Sequence, residues 1–340
     1  MVSRRDFLEL ALAAGVGAGL ARSAPLFAQD VVPTHAQDFA PMHAQDVAPS
    51  QRRAAPADDL EVHIFSKHLQ FLDYPAMAEA AAELGFDGVD LTVRPGGHVE
   101  PERARDDLPR AVLAVRQNGL KAEMMTTAID DASDSTSRIV LETAADLRIR
   151  YYRMNWYRHP EDGSLPQSLD AFRARAQDLA ALNRELGIRG GYQNHAGNYV
   201  GASIWELWAL IQDLDPDWLG CQYDIRHATI EGGLSWPQGL RLIRPYIHTI
   251  IAKDVRWSRD GDDWRVEDVP LGQGMVDWER YFGLLAAKEI HVPLSLHLEY
   301  PIGGAEHGGR DASVDRKVAF EAMRRDLAAV RTYWREAQSG

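Results

Sequence analysis

"LEVHIFSKHLQFLDYPAMAEAAAELGFDGVDLTVRP", residues 60–95, sets the architecture. It opens on a short apolar run, 60–65, in which Val62 and Ile64 alternate with His63 and Phe65, the period of two expected of a strand. Tyr74-Pro75 then announces a helix, because proline fits the first turn, where its missing N–H costs nothing. Gly85 supplies the stop, and a second apolar run, 88–93, follows almost at once. Strand, helix and strand within about 35 residues make the βαβ unit of a parallel sheet.

The unit recurs along the chain. Apolar runs predict further strands at 120–126, 149–156, 188–193, 219–224, 247–253 and 292–299. Helical patterns fill 75–84, 101–118, 135–147, 168–186, 203–214, 236–243, 278–287 and 312–334. Eight strand–helix pairs in about 275 residues match a closed α/β barrel, the (β/α)8 TIM barrel, here spanning 58–336. An open doubly wound sheet is the competitor, but no Gly-x-Gly-x-x-Gly follows the first strand. One insertion, "RWSRDGDDWRVEDVP" at 256–270, sets an Asp-Gly turn between aromatic-bearing arms and predicts a β-hairpin on the rim after strand seven.

Outside the barrel the composition changes. Residues 1–28 carry paired Arg4 and Arg5, then Phe7, Leu8 and a small-residue apolar run, the pattern of a twin-arginine export signal cleaved after Ala28 or Ala24. The run is short and includes Glu9, which argues against a permanent membrane anchor. Imperfect octapeptides begin at Phe27, His35 and His43 (FAQDVVPT, HAQDFAPM and HAQDVAPS), poor in core formers, and a disordered linker is expected over residues 29–57. The expected partner is thus the twin-arginine (Tat) translocation machinery and the expected location periplasmic or extracellular. A single cysteine, Cys221, excludes an internal disulfide. The formal charge of −13, with no basic run in the body of the chain, argues against nucleic acid as a partner. A homo-oligomer, in which subunits cover one another's barrel mouths, is compatible with the sequence.

Polar side chains at the C-terminal strand ends of such a barrel project into its mouth. Strand one offers His63, with Lys67 and His68 beyond; strand two offers Asp90 and Arg94, and strand three Glu123. Strand four ends near Arg153, Asn155 and Trp156, an indole able to stack on the apolar face of a sugar. "YQNHAGNY", 192–199, contributes Gln193, Asn194, His195 and Asn198, which hold hydroxyls without adding charge. In "CQYDIRHA", 221–228, Asp224 and His227 stand three apart. They could hold one ion, work as an acid–base pair, or form a structural ion pair. Lys253 and Asp254 follow strand seven. In "SLHLEYP", 295–301, His297 and Glu299 share a strand face, opposite Leu296 and Leu298, and are costly inside a barrel unless paired or used.

Together the polar end of strand five, the Asp-x-x-His, the Lys-Asp and the closing Glu resemble the sugar isomerase/epimerase superfamily of xylose-isomerase-like TIM barrels. The resemblance covers about 60–334. It implies proton abstraction beside the carbonyl of a sugar or keto-sugar, and one divalent ion, Mn²⁺ or Zn²⁺, held by Glu, Asp, His and Glu. Those positions fall on Gln193, Asp224, Ile251 and Glu299, with His227 retained after the strand-six Asp. A rebuilt site would use Asp224, His227, Glu299 and Gln193. Without metal, Lys253, Arg94 and His227 would supply positive charge, Glu299 the base and Glu123 a second base. Two other outcomes of the same resemblance are elimination from a 3-keto-glycoside and a non-catalytic sugar-binding barrel.

Overall fold

Alternation decides which way each strand side chain points. In the computed structural model, which describes residues 60–311 and 313–339, the strands run in chain order as β1 (Val62–Phe65), β2 (Gly88–Val93), β3 (Lys121–Thr127), β4 (Tyr151–Arg153) and β5 (Arg189–Gln193). β6 (Leu219–Asp224), β7 (Ile247–Ala252), β8 (Asp254–Asp260), β9 (Asp263–Val269) and β10 (Leu294–Leu296) complete them. All but β8 and β9 close into one barrel in the order β1-β10-β7-β6-β5-β4-β3-β2, and its pairings are parallel. Val89, Leu91 and Val93 of β2, Cys221 and Tyr223 of β6, and Leu294 and Leu296 of β10 join the apolar shell beneath the helices. Each such Leu or Val contributes about 1.5–3 kcal/mol on burial. Their neighbours Asp90, Gln222, Asp224 and Ser295 are equally buried, and the pleat turns them to the inner side.

Two barrel strands are shorter than expected. β4 stops at Arg153 because the chain then turns out of the ladder: the Asn155 N–H donates to the Ile129 carbonyl at 2.7 Å and the Tyr157 N–H to the Tyr192 hydroxyl at 3.0 Å. β10 ends at Leu296, although the His297 N–H still reaches the Ala252 carbonyl at 3.0 Å. A helix at Ile225–Gly232 was not foreseen. Its N-cap is Asp224, whose Oδ1 accepts from the N–H groups of Arg226 at 3.0 Å and His227 at 3.3 Å. The three-residue spacing of Asp224 and His227 is therefore that of a helix cap and its first turn. The export signal and linker lie outside the described residues, in which no helix is long and apolar enough to cross a membrane.

β8 and β9 form the rim hairpin, antiparallel from Asp254↔Val269 to Asp260↔Asp263, turning through Gly261 at φ 64°. Its base is fixed by Asp254, which is buried. The carboxylate accepts from the N–H groups of Val255 (2.7 Å), Gly272 (2.9 Å) and Gly274 (3.1 Å), and from the Trp278 indole N–H (2.9 Å). Arg226 ties the hairpin back to the barrel through Asp268 at 2.8 Å. Replacing Asp254 with alanine leaves several buried donors unpaired, and a loss of roughly 3 kcal/mol is expected. Urea unfolding checks it, and a loss below about 1 kcal/mol would show the loop is held by other means.

Candidate active site

The strand ends converge on a pocket of about 130 Å³. Phe65 and Lys67 enter it after β1, Arg94 after β2, Arg153 and Trp156 around the end of β4, and Gln193 and His195 from β5; Lys253 enters after β7, His297 and Glu299 after β10. A larger hollow of about 250 Å³ lies against Pro95, Ile129 and Val140. It gathers no imidazoles or cations, so the mouth pocket is where chemistry can occur.

A continuous polar belt runs beneath this pocket. Arg153 Nη1 donates to Gln193 Oε1 at 3.0 Å, and Gln193 Nε2 donates to Asp224 Oδ2 at 2.7 Å. Lys253 Nζ stands 3.1 Å from the same Oδ2 and 3.0 Å from His227 Nε2. Four successive strands, β4 to β7, thus each contribute one member from their ends. Across the mouth, Lys67 Nζ donates to Glu299 Oε2 at 2.6 Å.

The imidazoles around the pocket are held neutral. His195 is pushed down to about 3 by burial and by the Lys253 ammonium. Its Nδ1 donates to the Ala196 carbonyl at 2.9 Å, which leaves Nε2 as an acceptor. Burial, then Lys253, holds His227 well below the usual range, and its Nδ1 accepts from the Ala196 N–H at 3.1 Å. His297 is likewise lowered by burial and stacks on Phe65 at 4.1 Å. The Ser295 hydroxyl donates to Asp90 at 2.7 Å and so accepts from His297 Nε2 at 3.1 Å. Burial draws the Glu299 carboxyl upward, but the charges of Lys67 and Lys253 overrule it, holding the group well below the carboxylate range.

A divalent ion does not fit these residues. Asp224 already accepts two backbone N–H groups on Oδ1 and meets the Gln193 amide and Lys253 on Oδ2. Four donors saturate a carboxylate, leaving no lone pair for a metal. The Lys253 ammonium lies between Asp224 and His227, where an ion would have to sit. Ile251, in register with Asp224 and fully buried, offers no donor atom. Among the described residues, no group of three or more His, Cys, Asp or Glu side chains is arranged to hold a metal ion. The residues expected to hold Mn²⁺ or Zn²⁺, Asp224, His227, Glu299 and Gln193, are thus arranged as a hydrogen-bonded belt with a separate carboxylate.

Of the residues singled out from the sequence, Arg94, Trp156, Gln193, His195, Lys253, His297 and Glu299 line the pocket. Asp224 and His227 lie just beneath it. Others are placed elsewhere. Glu123 turns outward and pairs with Arg150 at 3.3 Å, because it stands near the start of β3 rather than its end. His63, likewise early in β1, lies against Gly88 and 3.9 Å from Glu61. Asn194 exchanges two hydrogen bonds with the backbone of Asp224, locking β5 to the end of β6. Asn198 is exposed outside the lining. Arg153, Lys67 and Phe65 line the pocket without having been assigned a role; their positions at strand ends were the available signal.

The fold has solved relatives. A xylose isomerase domain protein from Planctomyces limnophilus is 17% identical, with a TM-score of 0.57, over 77% of this chain and 93% of its own. A xylose isomerase-like TIM barrel protein from Mycobacterium smegmatis, in complex with magnesium, is 13% identical with a TM-score of 0.62, over 84% of this chain and 100% of its own. The 3-keto-D-glucoside 4-epimerase of E. coli is 16% identical with a TM-score of 0.57, over 81% of this chain and 100% of its own. At these identities the likeness is one of fold. No curated protein matches the chain in sequence. The family model for the xylose isomerase-like TIM barrel matches residues 78–324. With the closed parallel barrel and the polar strand ends already described, that match makes the chain a member of the xylose isomerase-like TIM barrel family.

Proposed function

We propose that this protein is a sugar isomerase or epimerase that moves a proton beside the carbonyl of a keto-sugar, with Glu299 as the base and fixed cations in the place of a metal ion. The observation that carries this reading is Glu299, the one carboxylate lining the pocket among the described residues, set 2.6 Å from Lys67 among further cationic side chains. The C–H bond beside the carbonyl breaks, its proton goes to Glu299, and its electron pair forms the enediolate double bond. The carbonyl oxygen then takes up the charge that Glu299 has lost. Because that charge stays within reach of the same cations, a carboxylate held low can still deprotonate carbon: the cations that weaken the base stabilise the enediolate equally. In isomerisation the proton returns to the neighbouring carbon as that carbon's hydroxyl passes its proton to the enediolate oxygen; in epimerisation a second acid, Lys253 of the lining, protonates the opposite face of the same carbon while Glu299 keeps the first proton. The membership of the family and the epimerases among its fold relatives support this class of reaction. The Arg4-Arg5 pattern supports its taking place after export.

The test is proton exchange. Keto-sugars, D-fructose, D-allulose and a 3-keto-glucoside among them, incubated with the protein and EDTA in D2O are expected to gain deuterium beside the carbonyl, followed by NMR. Exchange that appears only when Mn²⁺ or Zn²⁺ is added would overturn the metal-free mechanism. Binding without exchange across the panel would make the barrel a binding protein.

A further inference from the structure

Two of the pocket's four cations are already matched: Lys67 by Glu299 at 2.6 Å and Lys253 by Asp224 at 3.1 Å. Arg94 and Arg153 are not. Among the described residues Arg94 makes no ion pair and no side-chain hydrogen bond; its guanidinium lies over the Phe65 ring, 5.5 Å from the centroid. Arg153 is buried and makes one side-chain hydrogen bond, to the neutral Gln193 amide. Its Nε is buried with no partner, and its plane lies over Trp156 at 4.3 Å. Burial, then repulsion from Arg94, pushes Arg153 down to about 9. Asp90, which accepts from the hydroxyls of Thr126 and Ser295, and Glu299 act on both guanidinium groups from a distance, but among the described residues neither forms an ion pair with them.

Resting on the reading of this pocket as the substrate site, we propose that its sugar is anionic, with a carboxylate or phosphoryl group seated between Arg94 and Arg153. Two guanidinium groups packed on aromatic rings are restricted in orientation, and their planar forks match the oxygens of an oxyanion. A neutral sugar would leave both cations unmatched in a partly desolvated site. An oxyanion supplies the missing contact charge for both guanidinium groups.

The test is calorimetric titration of the full-length protein with 5-keto-D-gluconate, D-fructose 6-phosphate and neutral D-fructose. One of the two anions is expected to bind about a hundredfold more tightly than fructose, and the tighter one identifies the oxyanion as carboxylate or phosphoryl. That preference is expected to fall at least tenfold in Arg94→Gln and in Arg153→Gln, and to weaken with added salt. Among the described residues Arg94 has no hydrogen-bond or ion-pair partner to lose, only its contact with the Phe65 ring, so its variant is expected to melt close to the parent even if Arg153→Gln does not fold. Fructose binding as tightly as both anions, no binding of either anion, or a preference that survives Arg94→Gln would overturn the proposal. Binding is read without turnover, so a failure of the proton-transfer mechanism leaves this result standing. Exchange on neutral keto-sugars with no preference for an anion would leave the mechanism standing and remove the proposal.

Discussion

Glu299→Gln is expected to lower turnover by about a thousandfold while leaving the fold and the ligand affinity largely intact, because a positioned general base contributes on the order of 10² to 10⁴ in rate. The replacement is nearly isosteric, and its amide oxygen can still accept from Lys67, which now stands 2.6 Å from the carboxylate. What is lost is the one carboxylate that lines the pocket among the described residues. The expected signature is a fall in kcat and in deuterium exchange together, with KM moving by less than about tenfold. Retained exchange in this variant would move the base elsewhere. His195, which lines the pocket and whose Nδ1 donates to the Ala196 carbonyl, would be the next residue to replace.

Acidification is expected to unfold the barrel before it neutralises the base. His68 is held at about 3 and His98 at about 4 by burial, and His227 and His297 are held well below their ordinary range by burial too. A histidine lowered in the folded state binds fewer protons there than in the unfolded chain. Stability is therefore lost as pH falls below the ordinary imidazole value of about 6.5, and the loss continues down to the folded value. Each such group removes roughly 1.4 kcal/mol per pH unit. His68, fully buried and held at about 3, alone removes on the order of 3 kcal/mol over two units, and His227 and His297 add to the loss in the same direction. Glu299 has the opposite geometry of shift: its lowered carboxyl contributes stability above the ordinary carboxylate range, lost only as pH falls through its own lower value. Urea midpoints followed by tryptophan fluorescence should fall steadily from about pH 6.5 downward, and a midpoint unchanged between about pH 7 and pH 5 would contradict the assignment. His68 shows the mechanism in one contact. Its Nε2 accepts from the Leu298 N–H at 3.0 Å, a bond that protonation abolishes one residue away from Glu299.

The barrel is legible in the sequence because each strand carries a period of two and each helix a period near four, punctuated by residues such as Pro75 and Gly85. The helix at Ile225–Gly232 escapes because it is short, follows its strand without a loop and starts at a residue that looks catalytic. Depth along a strand was the harder quantity. His63 and Glu123 have the right chemistry and inhabit the wrong end, since a misplaced strand start moves every side chain along the barrel axis. Pairing across strands was not legible at all. Nothing in "YQNHAGNY" distinguishes Gln193, which joins Arg153 to Asp224, from Asn194, which clamps backbone. Arg153 declares itself only when β4 and β5 lie side by side.

The amide at position 193 also bears on how this barrel could change over generations. It points its oxygen at a guanidinium and its nitrogen at Asp224, and Lys253 completes the shell of Asp224. Glutamate there alone would set two carboxylates against each other at 2.7 Å, and histidine at Ile251 alone would force a larger polar ring into a fully buried place. Removing Lys253 alone would strand a buried charge. A drift toward the four-ligand pattern that the sequence resemblance implies would have to cross sequences worse than either endpoint, so the belt acts as a ratchet that keeps descendants of this chain in the cation-lined form.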